Sequence, residues 1–448
     1  MLGALEIMRF SLSDYKTNNL KYTSPSFLSP FTNVDRIRYK KLEAKHLKDK
    51  NDIGNAFDEL KMRTNKDYFH KVYPIQSKTL GYASLSFPAY RFILPEVITE
   101  DWIATVDWHK FQRDHVLHQP LTAYIVIKLL GRPIKPGNTG LTLPSNNRLL
   151  KTCVDEILRF EETAYLKNFL MECGLSEKSI WLKPGRLREW LWTQLFIETA
   201  YLAAVFHDLG YPWQYVGLLG DKLETITTPA MIKEEAIEHS ILNSFKERLI
   251  YMAMNGYIKP TPSTPADWEK EIKEQTQKAI TGTHGFPGAL GFLFMNDSIR
   301  KFPDKNINPI RQLCVEWAAV AIMMHDMSKI YHGKGKIPER PHLRLDAKVD
   351  PLSALITLAD VLQDFERPVG KFSGRKSGNV ELSYDHACEY TEISLQGNSL
   401  NINYKMKAKN LAFKRSRLPF EQDEFFNTRY GYLNLKAWGF NNVEMHAD

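Results

Sequence analysis

Residues 187–213 read LREWLWTQLFIETAYLAAVFHDLGYPW. From Leu187 to Phe206 apolar side chains recur every three or four residues, and Gly210 and Pro212 stop the run. This spacing predicts a buried helix. It closes on His207-Asp208, where the chain would be driest, and a desolvated carboxylate without a partner costs several kcal/mol. Something cationic must compensate.

Working outward, the same texture predicts helices over 119–130, 150–172, 234–254, 286–295, 311–327 and 351–365. The last opens with Asp350-Pro351, a capping aspartate followed by proline at the first helical position. Two proline-marked loops interrupt the series, at 132–147 and around 259–265. After Pro368 the period changes to two, through Ile402, Tyr404 and Met406 and again through Tyr430, Tyr432, Leu433 and Leu435. The expected fold is mainly α, a helical bundle with a small C-terminal antiparallel β appendage, α+β overall. Its expected parts are residues 1–100, which carry no defensible periodicity, a helical domain over 101–368, and a β-rich region over 369–448.

Composition agrees with a globular protein. With 448 residues, 43% hydrophobic and 25% charged, the chain can bury a sizeable core, which excludes fibrous and wholly disordered classes. A net charge of +7 is mild for a dedicated nucleic-acid binder but suits an anionic ligand. Cys153, Cys173, Cys314 and Cys388 lie far apart without a CxxC pair, so neither a disulfide framework nor a zinc ribbon is indicated. Glu6 comes before any secretory apolar stretch could form, and no uncharged apolar run reaches the roughly 18 residues that span a bilayer. A cytoplasmic protein without a membrane partner is expected.

Four histidine sites adjoin the apolar segments: His115 and His118 in RDHVLHQPLTAY, His207-Asp208, His284 in GTHGFPGALGF, and His325-Asp326 in AAVAIMMHDMSK. In DPLSALITLADVLQDFERP, Leu352, Ile356 and Asp360 follow at i, i+4 and i+8, which puts an acid on or beside the apolar face. Imidazole and carboxylate together suit Mn²⁺, Fe²⁺, Zn²⁺ or Mg²⁺, and the lack of nearby cysteine argues against a thiolate site. Plainer readings stand beside this one. A histidine at a helix end can cap its helix, and Asp360 can pair with Arg367.

Taken in order, His118, His207-Asp208, His284, His325 and Asp360 resemble the H…HD…(H…H…)D series of HD-domain metal-dependent phosphohydrolases, over about Asp114 to Pro368. The resemblance implies an HD-type helical bundle. It implies a first metal bound by His118, His207, Asp208 and Asp360, and a second bound by His284 and His325 with Asp208 bridging. Two divalent ions follow, Mn or Fe favoured and Mg, Ni or Zn open. A metal-bound hydroxide would attack a phosphate ester or anhydride, of a nucleotide or another phosphorylated small molecule. Asp208 and Lys329 would be the catalytic groups; Lys329, Lys334, Lys336 and Arg340 would hold the substrate phosphate, the last three within a basic loop, Gly333 to Lys348, that otherwise reads as a solvated surface.

Departures leave alternatives open. The interval between His118 and His207 is long, which requires inserted helices and keeps His115 in view as the first ligand. The second doublet, His325-Asp326, could be the bridging one. The text HDLGYPW is similar to the HDxGHPP of deoxynucleotide triphosphohydrolases, but Tyr211 replaces a histidine, so triphosphate release, monoester hydrolysis and cyclic-nucleotide hydrolysis all stay open. Phosphate-loop, nucleophile-elbow and HExxH motifs are missing from the sequence. The run Lys405 to Arg417 is read as the charged outer face of a β-sheet, or else as a nucleic-acid track with Phe413 stacking. The rival to a hydrolase is a non-catalytic HD-fold protein that binds or senses a nucleotide or nucleic acid.

Overall fold

A computed structural model describes residues 7–11, 13–14, 115–131, 140–162, 186–210, 283–289, 291–292, 309–327, 344–365, 369–372, 380–383 and 388–448, with 171, 177 and 182 as isolated positions. Five helices carry the first part of the fold: α1 (His115–Leu130), α2 (Leu149–Glu162), α3 (Arg186–Phe206), α4 (Pro309–Met324) and α5 (Pro351–Leu362). Helix α3 is the hub, packing against α1, α2, α4 and α5. Its lack of a polar face is therefore met by neighbours on several sides, as a helix apolar all round requires. Trp192 and Phe196 of α3 meet Trp317 of α4 edge to face, with ring centroids 6.5 and 6.3 Å apart.

The expected helices agree closely with α1, α3 and α4, and α2 covers the first part of 150–172. The expected helix at 286–295 is helical at 285–289 and 291–292, while 234–254 and the loop around 259–265 lie outside the described residues. Asp350 caps α5 as expected. Its side chain accepts from Ser353 N at 3.0 Å, and Pro351 stands at the first helical position. The helix stops at Leu362, earlier than the spacing suggested, because the chain turns at Gln363, whose N–H reaches back to Ala359 and Asp360.

The C-terminal sheet is mixed, not antiparallel. Strands β5 (Cys388–Gln396) and β6 (Ser399–Met406) form a hairpin across Gly397, which takes the left-handed φ of +60° that a two-residue loop demands. Strand β1 (Ile7–Phe10) pairs antiparallel with the outer edge of β5, so a piece of the amino-terminal region completes this sheet. After β6 the chain runs through helix α6 (Ala408–Phe426) and returns as β8 (Asn442–Ala447) parallel to β6. A helical crossover is what a parallel return needs. The sheet order is β1-β5-β6-β8.

Two expectations are corrected here. The run Lys405 to Arg417 is not a sheet face: beyond Met406 it forms the first half of α6, with Phe413 exposed on it. Of the second alternating run only β7 (Leu433–Asn434) is strand, and it pairs parallel with β2 (Leu345–Asp346). A further antiparallel pair joins β3 (Val369–Phe372) to β4 (Val380–Ser383). No helix among the described residues is long and apolar enough to cross a membrane.

One hydrophobic core runs through helices and sheet alike, from Phe10 through Phe206 and Leu355 to Trp438. Polar anchors tie the carboxyl-terminal unit to two helix ends. Tyr404 Oη donates to Val361 O at 2.9 Å, at the end of α5. Tyr432 Oη donates to Met324 O, at the end of α4. Lys414 of α6 is buried, 3.1 Å from Asp364 and 2.9 Å from Glu421, with its ammonium 4.0 Å from the Tyr404 ring centre. Both carboxylates keep some exposure, so Lys414→Met should destabilise the protein by about 2–3 kcal/mol, below the full penalty for orphaning a buried pair. Urea unfolding measures this, and an unchanged midpoint would remove Lys414 as an anchor.

Candidate metal centre

Both HD doublets stand just past a helix end, and the local chemistry explains why histidine suits that place. The last carbonyls of an α-helix have no intrahelical partner. His207 Nδ1–H donates to Ala204 O at 2.7 Å, and His325 Nδ1–H donates to Ile322 O at 2.5 Å. Each ring thus caps its own helix. The same bond fixes the tautomer, because a carbonyl can only accept, and it leaves a bare Nε2 pointing away from the helix.

The other two imidazoles are oriented from outside. His118, on α1, is bonded through Nδ1 to Gln363 Oε1; Gln363 Nε2 donates to Phe365 O at 2.8 Å, which orients the amide oxygen toward the ring. His284 lies on the short turn before 285–289, with Nδ1 2.7 Å from Asp326 Oδ2 in a bent contact. All four nitrogens that face outward meet acceptors. All four Nε2 atoms face inward.

There they converge on two carboxylates. The Nε2 atoms of His118 and His207 are 3.0 Å apart, and Asp360 Oδ1 lies 2.6 Å from the first and 3.7 Å from the second. The Nε2 atoms of His284 and His325 are likewise 3.0 Å apart, with Asp208 Oδ1 2.9 and 3.6 Å away. Asp208 joins the two groups, since its Oδ2 is 3.6 Å from His118 and its Oδ1 is 3.5 Å from His207. Ligand atoms of His118, His207 and Asp360, and those of His207, Asp208 and His325, all fall within 4.8 Å of one another. Two nitrogens at right angles about one ion, each at about 2.1 Å, would be about 3 Å apart, so the spacing fits a divalent cation. These buried His/Asp groups could hold a metal ion.

Gly210 makes the convergence possible. A Cβ there would collide with the backbone of His284 and Gly288, so only glycine lets the turn after His207-Asp208 close on the turn that carries His284. His118, His207, Asp208, His284 and His325 are buried, while Asp360 keeps partial exposure.

No family model, curated protein or solved structure matches this chain. The site therefore has to be read from its own geometry. His118, His207, Asp208, His284, His325 and Asp360 are brought together. Lys329, Lys334, Lys336 and Arg340 lie outside the described residues, as does Arg367, the alternative partner of Asp360. The side chain of His115 is also outside them, and His118 is the residue that meets Asp360. In the second doublet it is His325 that faces the centre, while Asp326 turns to His284, so Asp208 is the aspartate between the two groups. Arg344 and Lys348, at the end of the basic loop, face elsewhere: Arg344 donates to the carbonyls of Asn427 and Thr428, and Lys348 is exposed. Sequence reading missed Gln363. Its signal was a polar residue one turn after Asp360 at the end of an otherwise apolar helix.

The charges respond to this crowding. Burial alone would lower the histidines, but Asp208 and Asp360 outweigh it at His207, and Asp326 and Asp208 outweigh it at His284, so both rings are raised above the ordinary histidine value. His325 stays lowered, by burial and by the two imidazoles beside it, against the pull of Asp208. Asp360 is held well below the usual carboxylate range, bonds from His118 and His207 overcoming its burial. The acids thus favour a proton on His207 and on His284, and burial disfavours one on His325.

The raised histidines add stability below their ordinary pKa that is lost as pH rises through their folded values. Depressed Asp360 adds stability above roughly pH 4 that is lost on acidification. A cation must displace the histidine protons, so binding tightens as pH rises. Calorimetric titration with Mn²⁺ near pH 7 in two buffers of different ionisation enthalpy should show release of roughly one to two protons. Heats independent of buffer would contradict this assignment.

Proposed function

We propose that the chain is an HD-type metal-dependent phosphohydrolase that cleaves a phosphate ester or anhydride, with a nucleotide as the substrate class. The observation that carries this reading is the meeting of four Nε2 atoms and two carboxylates at the spacing of ion ligands. A cluster of acceptors needs positive charge at its centre, and a divalent ion supplies more of it at one point than the protons it would displace.

In this reading His118, His207, Asp208 and Asp360 hold one divalent ion, His284, His325 and Asp208 hold the other, and Mn or Fe is favoured. Such ions would lower the pKa of a coordinated water towards 7 and polarise a phosphoryl oxygen. The protein's own work is positioning. Asp208 lies between the groups, its Oδ1 near His207, His284 and His325 and its Oδ2 near His118; Gln363 and the carbonyls of Ala204 and Ile322 keep three rings from turning, and the buried surroundings strengthen every charge interaction at the centre. Lys329 follows His325 by four residues in sequence and is assigned, with Lys334, Lys336 and Arg340, to the phosphate oxygens.

Purified protein should carry about two equivalents of Mn or Fe and release phosphate or a nucleotide from a panel of nucleotides and generic phosphoesters. His207→Ala should lose metal and reduce turnover by roughly a hundredfold or more. Hydrolysis that survives this substitution would remove the centre from the reaction. Metal and nucleotide binding without turnover by the unaltered protein would instead make it a sensor.

A further inference from the structure

The four imidazoles are not held alike. His207 and His325 cap their own helices, and His118 donates to a neutral amide oxygen. His284 alone faces a carboxylate through Nδ1 as well as Nε2, with Asp326 at 2.7 Å on one side and Asp208 at 2.9 Å on the other. Its backbone is held by the same acid, since His284 N donates to Asp326 Oδ2 at 2.9 Å. The turn is pressed onto the end of α4: a Cβ added to Gly285 would lie 2.7 Å from the carbonyl oxygens of Ile322 and Met323 and 3.2 Å from Asp326 Cβ. Both residues are buried. The contacts on the Nδ1 side of His284 and on its backbone N–H therefore come from Asp326, just past the end of α4.

We propose that Asp326 is the positioning residue of the second ion position, fixing His284 by its backbone and its ring so that Nε2 meets His325 and Asp208. This role rests on the metal-centre reading above. A carboxylate behind a ligating imidazole fixes the ring and raises its donor strength, and loss of such a partner typically weakens metal binding roughly 10–100-fold. At the first ion position, formed by His118, His207, Asp208 and Asp360, the orienting bonds to the rings run instead to Gln363 and to the Ala204 carbonyl. Loss of Asp326 should therefore divide the two positions.

The test is Mn²⁺ titration of the full chain by calorimetry, with the visible spectrum of the Co²⁺-loaded protein as a second readout. Asp326→Asn preserves shape and an oxygen for the backbone N–H but removes the charge; Asp326→Ala removes both contacts. The unaltered protein should bind two Mn²⁺. In Asp326→Asn the second affinity should fall roughly 10–100-fold with the first unchanged, and in Asp326→Ala one equivalent should remain. The cobalt spectrum should lose only the component that appears with the second equivalent. Two unchanged affinities in both variants would overturn the proposal, and so would an equal fall in both affinities, which marks a merely structural acid. An unaltered protein that binds no Mn²⁺ would overturn the metal-centre reading and this role with it.

Discussion

Lone pairs repel, and the middle of this protein gathers more of them than a dry interior tolerates without countercharge. Four imidazole nitrogens and the oxygens of Asp208 and Asp360 meet there in contacts of 2.6–3.7 Å. Protons can fill the need only in part, because Asp360 is held in its charged form while His325 is pushed toward neutrality. The surrounding fold exists under that constraint. Helices buried on nearly all sides deliver these groups from distant parts of the sequence, and three of the rings are locked by a hydrogen bond on the side away from the centre, while the fourth, His284, meets Asp326 there.

Much of this was legible in the sequence, for physical reasons. An apolar run that ends in a histidine and an acid must resolve the burial of both, which singled out His207-Asp208 and His325. The spacing of Leu352, Ile356 and Asp360 placed an acid toward the core side. The roles of Gln363 and Asp326 were hidden, because they depend on which loops touch across the fold and not on any local period. Helix α6 was hidden differently. Its inward face includes Lys414, a charge tolerated there because Asp364 and Glu421 neutralise it, so the apolar rhythm through Leu411 and Leu418 read as a run of surface charge. The parallel return of β8 depends on that crossover and was lost with it.

The carboxyl-terminal unit braces the helices that carry the cluster. Its contacts fall on Val361, Asp364 and Met324, close in sequence to Asp360, Gln363 and His325. Such bracing suits a centre whose members tend to push apart, because the ends of α4 and α5 would otherwise be free to splay.

The pairing of β1 with β5 has a consequence for how the molecule is made. Arg9 and Glu392, which form an ion pair across these strands, are separated by 383 positions. A ribosome delivers residues in order, so Ile7–Phe10 waits without its sheet until nearly the whole polypeptide has emerged, and the braces of α4 and α5 arrive just as late. Contacts of such long range slow folding and favour intermediates. During synthesis the six histidines and acids of the cluster, His118 to Asp360, all emerge before strands β5 to β8, so they must gather before the sheet that braces them is complete.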